Sequence, residues 1–151
     1  DFDTVCRIGM LRDAESKPAE AAFRSICDTL KENGLHFPAK AGDVRWLSDR
    51  AIGIFIMPDN ISTGMLEDLC LQSVGHSNAF LCVNSFFDCL AKDHPAGDNP
   101  LPNPSKARTL AYLSTRPEIC NSLGLAAKKG YWDFPHPCFA DIKAFLKELF
   151  T

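Results

Sequence analysis

Apolar positions in the first third of the chain run in two continuous stretches separated by one helical pattern. Val5–Leu11 is short and apolar and reads as a strand that ends at Arg12. Phe23, Ile26, Cys27 and Leu30 then recur at i, i+3, i+4 and i+7, one face of a helix. Ser16 is a candidate cap for that helix, Pro18 suits its first turn, and Gly34 is placed to close it. The segment 36–50, with Pro38 and Gly42, reads as a loop from which Trp46 packs on the core. Ala51–Met57 follows as a second strand, at the distance expected of a parallel crossover.

Beyond Met57 the period changes to that of helices. Met65, Leu66, Leu69 and Cys70 share a face in a helix expected from Thr63. Ser77 opens another, with Phe80, Val83, Phe87 and Leu90 inward. The segment 92–103, rich in Pro, Gly, Asp and Asn, reads as a surface connection. Asn103-Pro104 starts a helix that Pro117 stops, and a shorter helix is expected around 119–127. An aromatic loop, Gly130-Tyr131-Trp132-Asp133-Phe134, precedes a terminal helix with the face Ile142, Phe145, Leu146 and Leu149. These elements predict an α/β protein: a mostly parallel, Rossmann-like layer with a helical C-terminal extension.

The 151 residues are the length of one domain, and 46% hydrophobic with 23% charged residues is ordinary for a globular chain. A net charge of −3 gives no overall basic footprint, although 16 Lys and Arg leave room for a local one. No apolar run is long enough to span a bilayer, and no signal-peptide pattern opens the chain. The seven cysteines are odd in number, contain no CxxC and lack zinc-site spacing, so they are expected to be buried thiols of a cytoplasmic protein. The chain starts Asp-Phe-Asp-Thr without an initiator Met, which suggests processing or a piece of a longer protein.

The candidate chemistry lies where the strands end. Arg12-Asp13-Ala14-Glu15 follows the first strand; Pro58-Asp59-Asn60, Gly64 and then Glu67-Asp68 follow the second. Ligands of open α/β sheets sit beyond the carboxyl ends of strands, so the two ends suggest one acidic site. Asp59 and Asn60 read as turn formers. The scattered His36, His76, His94 and His136 offer no triad, and Gly124 and Gly130 offer no phosphate-cradling loop. Tyr131, Trp132 and Phe134 could stack on bases or pack internally, and packing is the reading adopted.

The combination RDAE, GIFIMPDNISTGMLEDL, a KA-bearing helix and KKGYWDFPHP resembles an uncharacterised bacterial family related to the Toprim domains of the overcoming-lysogenization-defect (OLD-type) nucleases. The resemblance implies a Toprim-like core with a Mg²⁺ or Mn²⁺ site. Asp13 then matches the first Asp of the Toprim D-x-D motif, Glu15 stands at its second acid, and Glu67 with Asp68 at a further acidic position. The glutamate of the family's preceding strand has no counterpart, so the chain reads as a single Toprim-like domain, 1–151, lacking its N-terminal strand. A strand edge exposed by that lack would favour a homodimer.

The resemblance implies a metal-dependent cleavage of phosphodiesters in DNA or RNA. Asp13, Glu15 and Glu67 would be the catalytic acids, Asp68 a further metal ligand, and Arg12, Lys17 and Lys106 the contacts to phosphate. Mg²⁺ suits this set, because it takes hard oxygen ligands and needs only one or two carboxylates beside water and phosphate. The rival expectation is a non-catalytic interaction module whose acids are turn, helix-start or surface residues.

Overall fold

A computed structural model of the chain describes residues 5–93 and 102–151. The elements run β1 (Arg7–Asp13), α1 (Ala19–Glu32), β2 (Val44–Leu47), β3 (Arg50–Met57), α2 (Leu66–Ser73), α3 (Asn78–Asp93), α4 (Pro104–Ser114), α5 (Leu123–Lys128), a 3₁₀ turn (Pro137–Phe139) and α6 (Ala140–Phe150). They form two compact units, Asp1–Leu66 with Pro137–Thr151, and Glu67–His136.

The first unit is built on a three-stranded sheet in the order β1-β3-β2. β1 and β3 are parallel and in register from Arg7↔Ala51 to Asp13↔Met57. β2 pairs antiparallel with β3, so the sheet is mixed and not mostly parallel. The expected loop 36–50 hides this strand: VRWL alternates weakly, and its turn, Ser48-Asp49, lacks a glycine. Ser48 supplies the positive φ (55°) that a two-residue hairpin loop requires. Trp46 is not in the core as expected; it is 43% exposed, and Arg7 stacks over its ring at 5.5 Å. Both side chains lie in one row across Ala51, whose methyl group leaves room for the guanidinium to reach.

β3 is buried from Ala51 through Met57, because both faces of the central strand are covered. Ile52, Ile54 and Ile56 form one core with Ala22, Cys27 and Leu30 of α1, and Phe23 and Ile26 pack against it. The helix starts after Pro18 with no side-chain cap, so Ser16 does not cap it. Gly34 (φ 67°) closes it as expected: its N–H donates to Lys31 O, and Leu35 N–H donates to Leu30 O.

The opposite face carries Gly9, Leu11, Gly53 and Phe55, and α6 packs there. The terminal helix is therefore the third layer of the sheet unit, not an extension from it. Gly9 and Gly53 are register partners and make a side-chain-free strip beneath α6. A Cβ on Gly9 would lie 2.6 Å from Leu149 Cδ2, and one on Gly53 2.7 Å from Phe145 Cε2. Phe145 and Leu149 are 2% and 0% exposed, and the Phe145 ring meets Phe55 at 5.4 Å.

The second unit is helical. The Ser77 hydroxyl accepts from Phe80 N–H at the start of α3, and Asn103 Oδ1 accepts from Lys106 N–H at the start of α4, as the sequence predicts. α3 and α4 pack together, with Phe80 edge-on to Tyr112 at 6.2 Å and Arg108 over Phe87. Trp132 is buried, stacks on Tyr112 at 5.6 Å and donates its Nε1–H to Leu123 O, so it serves packing. The helix expected from Ile119 begins only at Leu123, capped by Ser122, and Ile119 is 74% exposed. Of the connection expected over 92–103, positions 94–101 lie outside the described residues.

No two described cysteines are bonded. Cys27, Cys70 and Cys120 are buried as expected, Cys138 is half-buried, and Cys6, Cys82 and Cys89 are exposed. Burial, with Asp28 beside it, pushes the Cys27 thiol up, away from the thiolate that reactivity needs. Among the described residues no helix is long and apolar enough to cross a membrane.

Candidate functional site at the strand ends

The parallel strands finish level, Asp13 beside Met57, and Ala14 N–H continues the pairing to Met57 O at 3.2 Å. The chain leaving β3 passes a cis Met57–Pro58 bond and turns at once. Asn60 (φ 67°) folds back on Ile56: its N–H donates to Ile56 O, and its Oδ1 accepts from Ile56 N–H, both at 2.8 Å. One asparagine thus occupies both backbone groups of a buried strand residue that has no further strand residue to pair with.

Asp59 organises the next turn. Its Oδ1 accepts from Ile61 N–H at 3.0 Å and Ser62 N–H at 2.6 Å, and its Oδ2 accepts from the Ser62 hydroxyl at 2.7 Å. Partial burial pushes the Asp59 carboxyl up, but the hydrogen bonds from Ser62 and Ile61 outweigh it and hold the group below its ordinary value. Both residues are turn formers, as their sequence context predicts.

A carboxyl depressed in the folded chain contributes stability that is present above its unfolded pKa, about 3.9, and lost as pH falls through the lower folded value. Asp59→Ala is expected to cost about 1 kcal/mol near neutral pH, the scale of a capping side chain. The difference from the parent should shrink in strong acid. Urea unfolding of both proteins at about pH 6 and about pH 2 checks this; a difference independent of pH would refute the charged-acceptor role.

The returning loop then meets β1. Glu15 and Gly64 form an isolated antiparallel bridge, Glu15 N–H to Gly64 O at 2.7 Å and Gly64 N–H to Glu15 O at 2.8 Å. This pair of bonds holds Glu15 in the left-handed region (φ 57°), which a non-glycine residue occupies only when its surroundings impose it. Gly64 (φ 137°) supplies the backbone freedom on the other side. Two residues on, Leu66 N–H donates to Asp13 Oδ1 at 2.9 Å. Asp13 therefore satisfies an open N–H at the start of α2 from 53 residues away, where the helix dipole favours an anion.

The structure thus brings Asp13 and Glu15 together with the Gly64–Leu66 turn. Asp13 is half-buried, and its Oδ2 accepts no hydrogen bond from the described residues; Glu15 is exposed, and its carboxylate accepts none from them. Arg12 is exposed and donates to Ser25 Oγ at 3.1 Å, and Lys17 is exposed in the same unit. Glu67 and Asp68 belong to the second unit, half-buried in the first turn of α2. Asp68 accepts from the Ser105 hydroxyl, a bond from α2 to α4, and Lys106 lies exposed one residue further.

Among the described residues no three His, Cys, Asp or Glu side chains are grouped to hold a metal ion. His36 and His76 are exposed and His136 is half-buried; His94 is outside the described residues. The residues that sequence reasoning did not connect are Asn60 and Gly64. Gly64, between a turn and a helix start, carried the available signal.

No curated protein and no solved structure matches the chain. The description of the family whose model matches names neither a Toprim domain nor a nuclease. That model matches residues 2–151, and the chain belongs to this family, DUF3226, a family of proteins of unknown function.

Proposed function

We propose that the chain has a Toprim-like core and cleaves phosphodiesters in nucleic acid with the help of Mg²⁺ or Mn²⁺. The observation that carries this reading is the left-handed Glu15, held by Gly64 two residues beyond Asp13 at the end of β1. Backbone held in a sparsely populated conformation clusters at ligand sites, and here it presents an acid with no protein partner among the described residues.

The donor set fits a hard cation: two carboxylates, one with a remaining oxygen and one that accepts no hydrogen bond among the described residues. Asp13 and Glu15 would hold the ion. A bound ion supplies positive charge to a phosphoryl oxygen. Arg12 and Lys17 bring cations to the same strand end, where they would offset phosphate charge and orient the backbone of the substrate. Arg12 has its Ser25 bond to exchange for a phosphate, a stronger, charge-assisted partner.

Calorimetric titration with Mg²⁺ and Mn²⁺ tests the reading, using the parent chain, Asp13→Asn and Glu15→Gln. Asp13→Asn keeps an oxygen for Leu66 N–H, so the fold is retained while the charge is lost. Each variant is expected to weaken binding at least about tenfold, and cleavage of single- and double-stranded DNA and RNA should fall with it. Absence of binding, or binding indifferent to both changes, would abandon the reading.

One observation favours the non-catalytic alternative. Asp13 and Asp68 both already perform structural tasks, one capping α2 and the other joining α2 to α4. In that case Asp13→Ala lowers stability by about 1 kcal/mol, while Glu15→Gln changes nothing measurable.

A further inference from the structure

Where β1 and β3 begin, the sheet carries one row of side chains, Arg7, Ala51 and Trp46, on the face that α6 covers further along. Leu149 and Phe145 lie over the next row, Gly9 and Gly53, while Arg7 and Trp46 remain exposed. The Trp46 Nε1–H donates to no described residue. Arg7 stacks over the indole at 5.5 Å, yet its side chain makes no hydrogen bond and no ion pair among the described residues. The ring thus holds the guanidinium in place while all of its donors remain for a ligand. Charge points the same way. Within residues 5–11 and 44–52 the charged side chains are Arg7, Arg45 and Arg50 against Asp49, a local basic end in a chain of net charge −3.

We infer that Arg7 and Trp46 form a subsite for one nucleotide of a single strand: an unpaired base stacks on the indole, and Arg7 binds the adjoining phosphate. The inference rests on the proposed nucleic-acid substrate and narrows it to unpaired strands. A planar base and an anionic phosphate are the two parts of one ligand that an exposed aromatic ring and an uncommitted guanidinium recognise together. A duplex keeps the faces of its bases stacked inside and offers the arginine only its phosphates. An acidic peptide satisfies the arginine and leaves the indole without a planar partner. Asp13 lies six residues further along β1, about 20 Å away. The subsite therefore holds the strand at a distance from the acids and has no part in breaking a bond.

The chain has two tryptophans, and Trp132 is 4% exposed, so a change of emission on adding nucleic acid reports Trp46. The full chain is titrated in EDTA and low salt with an oligothymidylate of about 12 nucleotides, a length within the reach of single-strand sites. Quenching is expected, and Trp46→Leu should abolish it and weaken binding about tenfold, as followed by anisotropy of the labelled strand. Arg7→Gln should weaken binding and reduce the slope of log K against log salt by about 0.7, the mark of one lost phosphate contact that a merely structural arginine would not leave. Circular dichroism checks both folds; if Trp46→Leu does not fold, Arg7→Gln, which removes no buried group, carries the test. A duplex of the same length should bind more weakly and leave the emission unchanged. Unquenched emission overturns the subsite, as does equal quenching by duplex or by polyglutamate, or an affinity that neither variant moves. EDTA separates this test from the ion: quenching without any Mg²⁺ or Mn²⁺ binding retires the cleavage and leaves the subsite standing, and ion binding without quenching does the reverse.

Discussion

Phe145→Ala is expected to lower the stability of the chain by about 3–5 kcal/mol, a large part of the 5–15 kcal/mol that holds an ordinary domain together. Phe145 is 2% exposed and lies between α6 and the sheet, with its ring against Phe55 at 5.4 Å. The cost of a truncation depends on how far the surroundings collapse into the space. Here the floor of the site is the backbone of Gly53, paired on one side with Gly9 and on the other with Val44. A hydrogen-bonded central strand cannot move up, and a glycine has no side chain to reorient, so the upper part of the range is expected. Urea unfolding followed by circular dichroism measures it. A loss below about 1 kcal/mol would show that α6 is not a layer of the sheet core.

That role for α6 marks the boundary of what the sequence makes legible. Its amphipathic face is plain from Phe145 and Leu149, but a periodic stripe says that a helix is covered on one side without saying by what. The pairing of residues 140–150 with strands more than eighty residues earlier is long-range and leaves no local trace. β1, β3 and α1 are legible because each follows one period cleanly and because Gly34 marks a helix end by backbone freedom alone. β2 escapes because four residues of mixed polarity on an edge are not required to alternate: Trp46 and Leu47 stay near half exposed. Its absence from the reading is also why the sheet is expected to be mostly parallel.

At the candidate site the residue types are legible and their relations are not. Asp59 and Asn60 act within four residues of themselves, so local turn chemistry suffices to place them. Asp13 acts on Leu66 across 53 residues, and Glu15 on Gly64 across a similar distance. An acid after a strand can be a ligand, a cap or a surface charge; only the returning loop distinguishes these, and it gives Asp13 a cap's bond while the Glu15 carboxylate accepts none among the described residues. Asp68 likewise acquires Ser105 from a helix that the sequence cannot orient.

Gly53→Ala offers the sharpest test of the packing, because its sign is expected to depend on Phe145. In the parent chain the added Cβ would stand 2.7 Å from Phe145 Cε2 and 2.8 Å from Cζ, distances that a buried ring cannot relieve without moving α6. Overpacking of this kind costs about 1–3 kcal/mol. With Phe145→Ala already in place, the obstruction is gone, and only Val44 Cγ2 at 3.2 Å has to give, by a few tenths of an ångström. Alanine also restricts the unfolded strand more than glycine does, which favours folding by about 0.5–1 kcal/mol. The same substitution should therefore destabilise the parent and be neutral or slightly stabilising in the Phe145→Ala background. Urea unfolding of the four proteins gives the coupling energy, expected at about 1–3 kcal/mol. Strictly additive losses would mean that α6 already stands further from the sheet than a Cβ requires, and the glycine pair beneath it would then have no packing role.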